Sequence, residues 1–204
     1  MSYPEVSPGQ IDALGEISNI GMGHAATALS QLLGENVLLK VPRVNVTDVS
    51  AVPELLGGAE NVVVGITLKI LGDAQGNILL IFPRSSASRL LGRLLGAPED
   101  GPVLSEMGAS TLKEIGNILA SAYLSALGRM LGLSLIPSVP ALACDMAGAV
   151  IDCVLIELSR SSDVTLLLET EFFSGDGEAI RGDFFVLPSP ESLELILRAA
   201  GEGQ

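Results

Sequence analysis

The sequence has no tryptophan, and phenylalanine and tyrosine together make up only 3% of its 204 residues. Since 48% of the residues are hydrophobic, the core has to be built mainly from Ala, Val, Leu and Ile side chains. This amount of apolar material is enough for one domain, or for two small halves that are joined tightly.

Basic residues are also scarce, because 11 Lys and Arg stand against 24 Asp and Glu and give a formal net charge of −13. No basic stripe is therefore available to displace the counterions of a phosphate backbone, which argues against nucleic acid as a partner. The same imbalance argues against binding to an anionic membrane surface. The N-terminus MSYPEVSPGQ lacks a signal pattern, and no apolar run is long and unbroken enough to span a bilayer. We therefore expect a cytoplasmic protein without membrane insertion.

The residues that usually build metal or nucleophilic sites are nearly absent. Cys144 and Cys153 lie nine residues apart and have no His or Cys neighbour at ligand spacing, so we expect reduced thiols and no metal site. The single His24 has no evident partner for a catalytic triad. No Gly-rich phosphate loop precedes a helix, so a nucleotide or metal hydrolase is poorly supported.

What the sequence does contain is an internal duplication. Two helical patterns, at 8–33 and about 104–131, each end next to a glycine. Each is followed by short extended segments, by two strands joined through a Gly-Asp-rich turn, and by a short amphipathic helix. These patterns predict an α+β fold, a single pseudo-symmetric domain (1–204). In it, two repeats (about 9–97 and 103–201) share one antiparallel-rich sheet, and two long amphipathic helices carry the candidate sites.

Two local assignments complete this prediction. The segment DMAGAVIDCVLIEL, residues 145–158, fits either a buried helix or a strand, and its length favours a helix. The short helix SSASRLLGRLLG is expected to be capped by Ser85 or Ser86, because a serine hydroxyl can accept a hydrogen bond from a free backbone N–H at a helix start.

One polar constellation occurs in both long helices, and the second copy follows the first by 98 positions. The copies are Asp12, Glu16, Asn19 and Pro42, and Ser110, Glu114, Asn117 and Pro140. Because each residue of a helix advances by about 100°, the first three members of each copy share one solvent-facing ridge. We expect the opposite sides to be buried, namely Leu14, Gly21, Ala25, Ala28, Leu32, Leu112, Leu119, Tyr123, Ala126 and Met130.

On a single helix, exposed Glu and Asn residues would usually be an ordinary solvated face. Asn is a mediocre helix former, however, because its amide competes with the backbone for hydrogen bonds. A mid-helix Asn that occurs twice, each time with a Glu three residues before it, therefore favours a functional interpretation. The residue four positions after each Asn is small, so a partner backbone can approach the ridge closely.

The pattern Asp/Ser-x3-Glu-x2-Asn-x22-Pro, present twice, resembles the signature of the CheC-type phosphatases of bacterial chemotaxis. The resemblance covers nearly the whole chain, including the duplicated order of its elements. The second copy has the sequence EIGNI, which is the usual motif of the family, whereas the first copy has EISNI. We expect the departing residue, Ser18, to point away from the ridge. Two sites make the chain more similar to CheC than to the dimeric relative CheX, and the added segments of FliY are not evident.

This resemblance implies that the protein is an enzyme that hydrolyses the phospho-aspartate of a CheY-type response regulator. Asn19 and Asn117 would each orient a water molecule for in-line attack, and Glu16 and Glu114 would pair with a lysine of the regulator. The magnesium ion would be held by the carboxylates of the regulator. We therefore expect no cofactor and no metal ligands that belong to this chain itself.

The remaining members of the constellation are expected to support the site. Asp12 and Ser110 would orient the ridge, and Pro42 and Pro140 would end a strand or set a turn near the helix. A second hypothesis is a non-catalytic binding module for the receptor deamidase CheD or for the flagellar switch, although the intact Glu and Asn pairs favour catalysis. We expect a monomer, because the duplication can satisfy internally a pairing that a relative achieves by dimerising.

Overall fold

The computed structural model describes residues 6–39, 43–48, 60–96, 104–159, 164–174 and 180–202. These residues form five helices and eight strands, in the order α1 (Pro8–Leu33), β1 (Val37–Leu39), β2 (Arg43–Asp48), β3 (Val62–Gly72), β4 (Gly76–Pro83), α2 (Arg84–Leu95), α3 (Glu106–Leu131), β5 (Leu135–Pro137), β6 (Ala141–Met146), α4 (Ala147–Ser159), β7 (Val164–Ser174), β8 (Gly182–Pro188) and α5 (Pro190–Glu202). Both predicted hairpins are confirmed, as β3–β4 and β7–β8. The ambiguous apolar segment forms the predicted helix, α4.

The two long helices begin and end by the same local chemistry. At the start of α1, the Gln10 N–H donates to Ser7 Oγ at 3.3 Å, and the Ser7 N–H donates to Gln10 Oε1 at 2.9 Å. At the start of α3, Ser105 Oγ accepts the N–H of the third helical residue at 3.0 Å. Gly34 and Gly132 end the helices with φ of 69° and 68°, a conformation that favours glycine. Neither these helices nor any other in the described part of the chain is long and apolar enough to cross a membrane.

The sheet joins the two halves of the chain by exchanging their short strands. Every strand pair among the described residues is antiparallel, and the main order is β1-β7-β8-β4-β3-β5. In addition, β2 of the first half pairs with β7 of the second, and β6 of the second half pairs with β3 of the first. Each half therefore completes the sheet of the other half, and the α+β fold is confirmed.

Helices cover this sheet on both faces. The larger hydrophobic cluster packs α1 and α3 against residues such as Ile66 and Leu80, while the smaller cluster packs Val150 and Ile151 of α4 against the opposite face. The core is mainly aliphatic, as predicted. The few aromatic side chains nevertheless contribute to it, since four of the largest fully buried side chains are Phe82, Tyr123, Phe184 and Phe185.

The cap predicted for α2 is wrong. The residue at the cap position is Pro83, and no side chain caps the first turn. Ser86 is buried within the helix, and its Oγ accepts a hydrogen bond from the Arg181 N–H at 3.2 Å. Its hydroxyl therefore connects α2 to the start of β8, a tertiary contact that the local sequence pattern does not reveal.

Candidate functional site on the two long helices

The second copy of the constellation lies on the N-terminal half of α3. Ser110 and Glu114 are exposed, and Asn117 is partly buried. Together with Pro140 these three residues line one open depression of about 420 Å³, called here the second-site depression. The spacing i, i+4, i+7 places the three helical residues on one face, one turn apart. All four residues that the sequence predicted for the second site are thus brought together.

The other wall of the second-site depression is the segment 137–140. Ser138 attaches this segment to β3, because its N–H donates to the Lys69 carbonyl oxygen and its Oγ accepts the Lys69 N–H, both at 2.9 Å. The Ser138 hydroxyl also donates to the Val139 carbonyl oxygen at 3.2 Å. Pro137 ends β5 and Pro140 directly precedes β6, where a fixed proline φ restricts the backbone. Pro140 therefore lies beside the helix in the short connection between β5 and β6. These two strands pair consecutively along β3, so this connection is not a turn.

Four further residues line the second-site depression and were missed from the sequence, namely Lys113, Pro137, Ser138 and Val139. Lys113 precedes Asn117 by one helical turn, so helical spacing alone could have found it. Val139 is 89% exposed, which is unusual for an apolar side chain and leaves its surface available to a partner. Ser138 and Val139 reach the site through the β3–β5 pairing, which no local pattern reveals.

The first copy of the constellation lies on α1. Asp12, Glu16 and Asn19 are all exposed, which agrees with the predicted ridge. Gly23, one turn further on, has open space where a Cβ would be, so this end of the ridge is open to a partner backbone. Pro42 lies outside the described residues.

The buried sides of α1 and α3 meet at Tyr123. Ser18 is 2% exposed and faces this ring, with its Oγ 3.5 Å from the Tyr123 hydroxyl, so it points away from the ridge as predicted. A Cβ on Gly21 would lie 2.8 Å from Tyr123 Cδ2, which shows how closely the helices approach. Burial raises the pKa of the Tyr123 phenol to about 12, although the Ser18 hydroxyl opposes this shift. The contact fixes both helices with their ridges facing solvent.

The glycine of EIGNI has a packing role in α3. A Cβ on Gly116 would lie 2.7 Å from Ile66 Cγ2 on β3, so a larger residue would push the helix away from the sheet. In α1 the equivalent residue, Ser18, faces Tyr123 instead. The two copies therefore differ where their helices contact different neighbours.

Most of the predicted inward face is confirmed. Seven of the ten residues are buried, namely Leu14, Gly21, Ala25, Leu112, Leu119, Tyr123 and Ala126. Ala28 is half-buried, whereas Leu32 and Met130 are 38% and 42% exposed. The burial predicted for Leu32 and Met130 is therefore wrong, and both residues lie in the last turn of their helix.

The chemistry common to both ridges is one Glu carboxylate and one Asn amide, and the ridge of α1 adds the carboxylate of Asp12. Among the described residues, no three His, Cys, Asp or Glu side chains lie together as a metal site requires. His24 is exposed on α1, and Cys144 is a partly buried free thiol. The Glu carboxylate can bind a cation, and the Asn amide can donate and accept hydrogen bonds without carrying charge.

The sequence profile of the CheC-like family matches this chain twice, at residues 10–46 and 107–143. Each match contains one complete copy of the constellation. The chain is also 37% identical over 196 residues to the CheY-P phosphatase CheC of Bacillus subtilis, and the alignment covers 94% of both proteins. The chain belongs to the CheC-like family. The two profile matches also show that its two halves are related.

Solved structures show the same CheC-like fold in flagellar proteins. FliY of Thermotoga maritima superimposes with a TM-score of 0.76 at 18% identity, covering 98% of this chain and all of that one (100%). The FliM middle domain from H. pylori superimposes with a TM-score of 0.71 at 16% identity, covering 95% of this chain and 99% of that one. At these identities the structures establish a shared fold and leave the activity to be argued from the site.

Proposed function

We propose that this CheC-like protein is a phosphatase for the phospho-aspartate of a CheY-type response regulator, with one active site on α1 and one on α3. The observation that carries the proposal is the second-site depression, where Ser110, Glu114, Asn117 and Pro140 lie around one open space. The likeness to a CheY-P phosphatase over 94% of the chain supports the same substrate class.

In this proposal Asn117 acts on the attacking water and Glu114 positions the partner. The water oxygen forms a bond to phosphorus while the bond between phosphorus and the aspartate oxygen breaks, which releases inorganic phosphate and restores the aspartate carboxylate. The Asn117 amide orients the water and, being neutral, can approach the anionic phosphoryl group without the repulsion that a carboxylate would meet. Glu114 pairs with a lysine of the regulator and so fixes the helix in register.

The same roles are proposed for Asn19 and Glu16 on α1, while Asp12 and Ser110 orient the two ridges. In this proposal the carboxylates of the regulator bind Mg²⁺, and this chain positions the regulator and orients the attacking water. We further propose a cytoplasmic monomer made of one domain with two repeats, about 9–97 and 103–201. The exchange of short strands between the two halves supports this arrangement.

The test is phosphate release from the phosphorylated CheY of Bacillus subtilis in the presence of Mg²⁺. The wild type should accelerate the release, and the double variant Asn19→Ala, Asn117→Ala should not. Gln31→Ala, which removes an exposed amide elsewhere on α1, is the matched control and should behave as the wild type. Exposed substitutions such as Asn19→Ala usually change stability by about 0.5 kcal/mol or less, and circular dichroism should show that the double variant, which also replaces the partly buried Asn117, stays folded. A folded double variant that retains the wild-type rate would contradict the proposal.

One alternative has a specific observation in its favour. The FliM middle domain shares the fold, so the chain is compatible with a binding module for the flagellar switch or for CheD. The Glu and Asn pairs present in both copies favour catalysis. If the wild type binds phosphorylated CheY without accelerating phosphate release, the binding module is the better account.

A further inference from the structure

Lys113 gives the second site a cation beside its asparagine. It lines the second-site depression together with Glu114 and Asn117. Lys113 and Asn117 are separated by four residues, which places their Cβ atoms about 5–6 Å apart on one helix face. No hydrogen bond or ion pair from a described residue holds the Lys113 ammonium group, and its side chain lines the open depression.

The first site lacks this cation. The residue that corresponds to Lys113 in α1 is Gly15, and α1 contains no Lys or Arg between Pro8 and Leu33. The ridge of α1 carries two acidic side chains, Asp12 and Glu16, whereas the lining of the second-site depression combines one lysine with one glutamate. In a protein of net charge −13, the second site is therefore the one better suited to an anionic partner.

We propose that Lys113 is a partner-binding residue that makes the α3 site hold a phosphorylated, acidic partner surface more tightly than the α1 site does. This inference rests on the proposed phosphatase function. An ammonium group donates hydrogen bonds and accepts none, so it stabilises the bound anion and does not replace Asn117 in orienting the water. Lys113 therefore contributes to the affinity for the partner, and added salt weakens this contribution.

The test uses the Asn19→Ala variant as parent, so that turnover depends on the second site, with phosphorylated Bacillus subtilis CheY as the probe. Lys113→Gln should raise KM by about 3- to 10-fold at low salt while kcat changes by less than about twofold. Lys113→Arg should restore most of the affinity. Arg129→Gln removes the same charge about 24 Å further along α3 and should leave KM nearly unchanged.

Three outcomes separate this inference from the proposed function. If the gap in KM between the parent and Lys113→Gln narrows as salt is raised, the binding role is supported. If the parent is active and Lys113→Gln behaves as Arg129→Gln does, or lowers kcat at constant KM, the role of Lys113 is overturned. If the parent does not accelerate phosphate release at all, the proposed function itself fails, and the inference fails with it.

Discussion

The two long helices are copies of one element that now occupy different surroundings. Both have 26 residues, begin after a capping serine and end at a left-handed glycine. Six residues of α1 are buried, whereas twelve residues of α3 are. The exposed Glu and Asn are nevertheless identical in both. The buried side has adapted to its neighbours while the Glu–Asn pair has not changed, which is the pattern expected if this pair carries the function.

The two ridges differ in the residues around the shared pair. The second copy has Ser110 and Lys113 where the first has Asp12 and Gly15. Two like charges at i and i+4, as in Asp12 and Glu16, are mildly unfavourable, by about 0.2–0.5 kcal/mol. The extra negative charge also repels an acidic, phosphorylated partner. We therefore expect the α3 site to carry the larger share of turnover.

The strongest effect should be a loss of folding stability at high pH, which arises at Tyr123 between the two long helices. Tyr123 has no counterpart in the first copy, where Ala25 stands at the equivalent position. Its pKa is about 12 in the folded protein against 10.0 for the free side chain, so the buried neutral phenol is the favoured form. The associated stability is fully present below pH 10 and is lost as the pH rises through 12, by up to about 3 kcal/mol.

Urea unfolding of the wild type and of Tyr123→Phe between pH 8 and 12 measures this loss. The wild type should lose more stability than the variant as the pH rises, because only the wild type contains the Tyr123 hydroxyl. If the free energy of unfolding falls equally with pH in both proteins, burial does not raise the pKa of the Tyr123 phenol.

The next prediction exchanges the residues that distinguish EISNI from EIGNI. Gly116→Ser should destabilise the protein by about 1–3 kcal/mol, because the new Cβ overlaps Ile66 on β3. Ser18→Gly should cost only about 0.5–1 kcal/mol, through the flexibility of glycine in a helix. Chemical denaturation of both variants checks the ranking. Equal losses would show that both helices tolerate the same residue and that their packing does not differ as described.

Replacing the glutamates should have a smaller effect, which is measured as a change in KM. In the Asn19→Ala background, Glu114→Gln should raise KM by roughly 5- to 30-fold, which corresponds to about 1–2 kcal/mol, because it removes one charge of an interface ion pair. Glu16→Gln in the Asn117→Ala background should have an effect of the same kind on the first site. A collapse of kcat at constant KM would instead make the glutamate part of the chemical step.

The smallest effect is expected from Asp12→Ser, which gives the first site the residue of the second. Measured in the Asn117→Ala background, it should lower the KM of the first site by less than about threefold, because it removes one exposed like charge worth roughly 0.2–0.5 kcal/mol. The measurement is phosphate release at low salt. A higher KM would mean that Asp12 contacts the partner favourably and that its charge does not oppose binding.

Much of the fold could be predicted from the sequence because the decisive signals are local. Terminal glycines and the Gly-Asp-rich turn determine where the long helices end and where the first hairpin turns, and the structure places them close to the expected residues. The exchange of β2 and β6 between the halves was not predicted, since it depends on pairing between residues more than 70 positions apart. The cap predicted at Ser86 was wrong for the same reason, since the Ser86 hydroxyl bonds to Arg181, which is distant in the sequence.

In the candidate site, too, local patterns were predictable and long-range contacts were not. The ridge residues were predictable because a helical period of 3.6 places Glu114 and Asn117 on one face. The wall formed by Ser138 and Val139 was not predictable, because the hydrogen bonds between Ser138 and Lys69 of β3 bring it to the helix. The roles of the asparagines and glutamates stay predictions until kinetics are measured.

The decisive experiment compares Asn19→Ala with Asn117→Ala, each alone, at one matched concentration of phosphorylated CheY. We expect both variants to release phosphate more slowly than the wild type. Asn117→Ala should retain less than half of the activity, while Asn19→Ala should retain more than half. If Asn19→Ala loses more activity than Asn117→Ala, the charge-based ranking of the sites is reversed. If both single variants match the wild type, neither asparagine orients the water and the two-site account is contradicted.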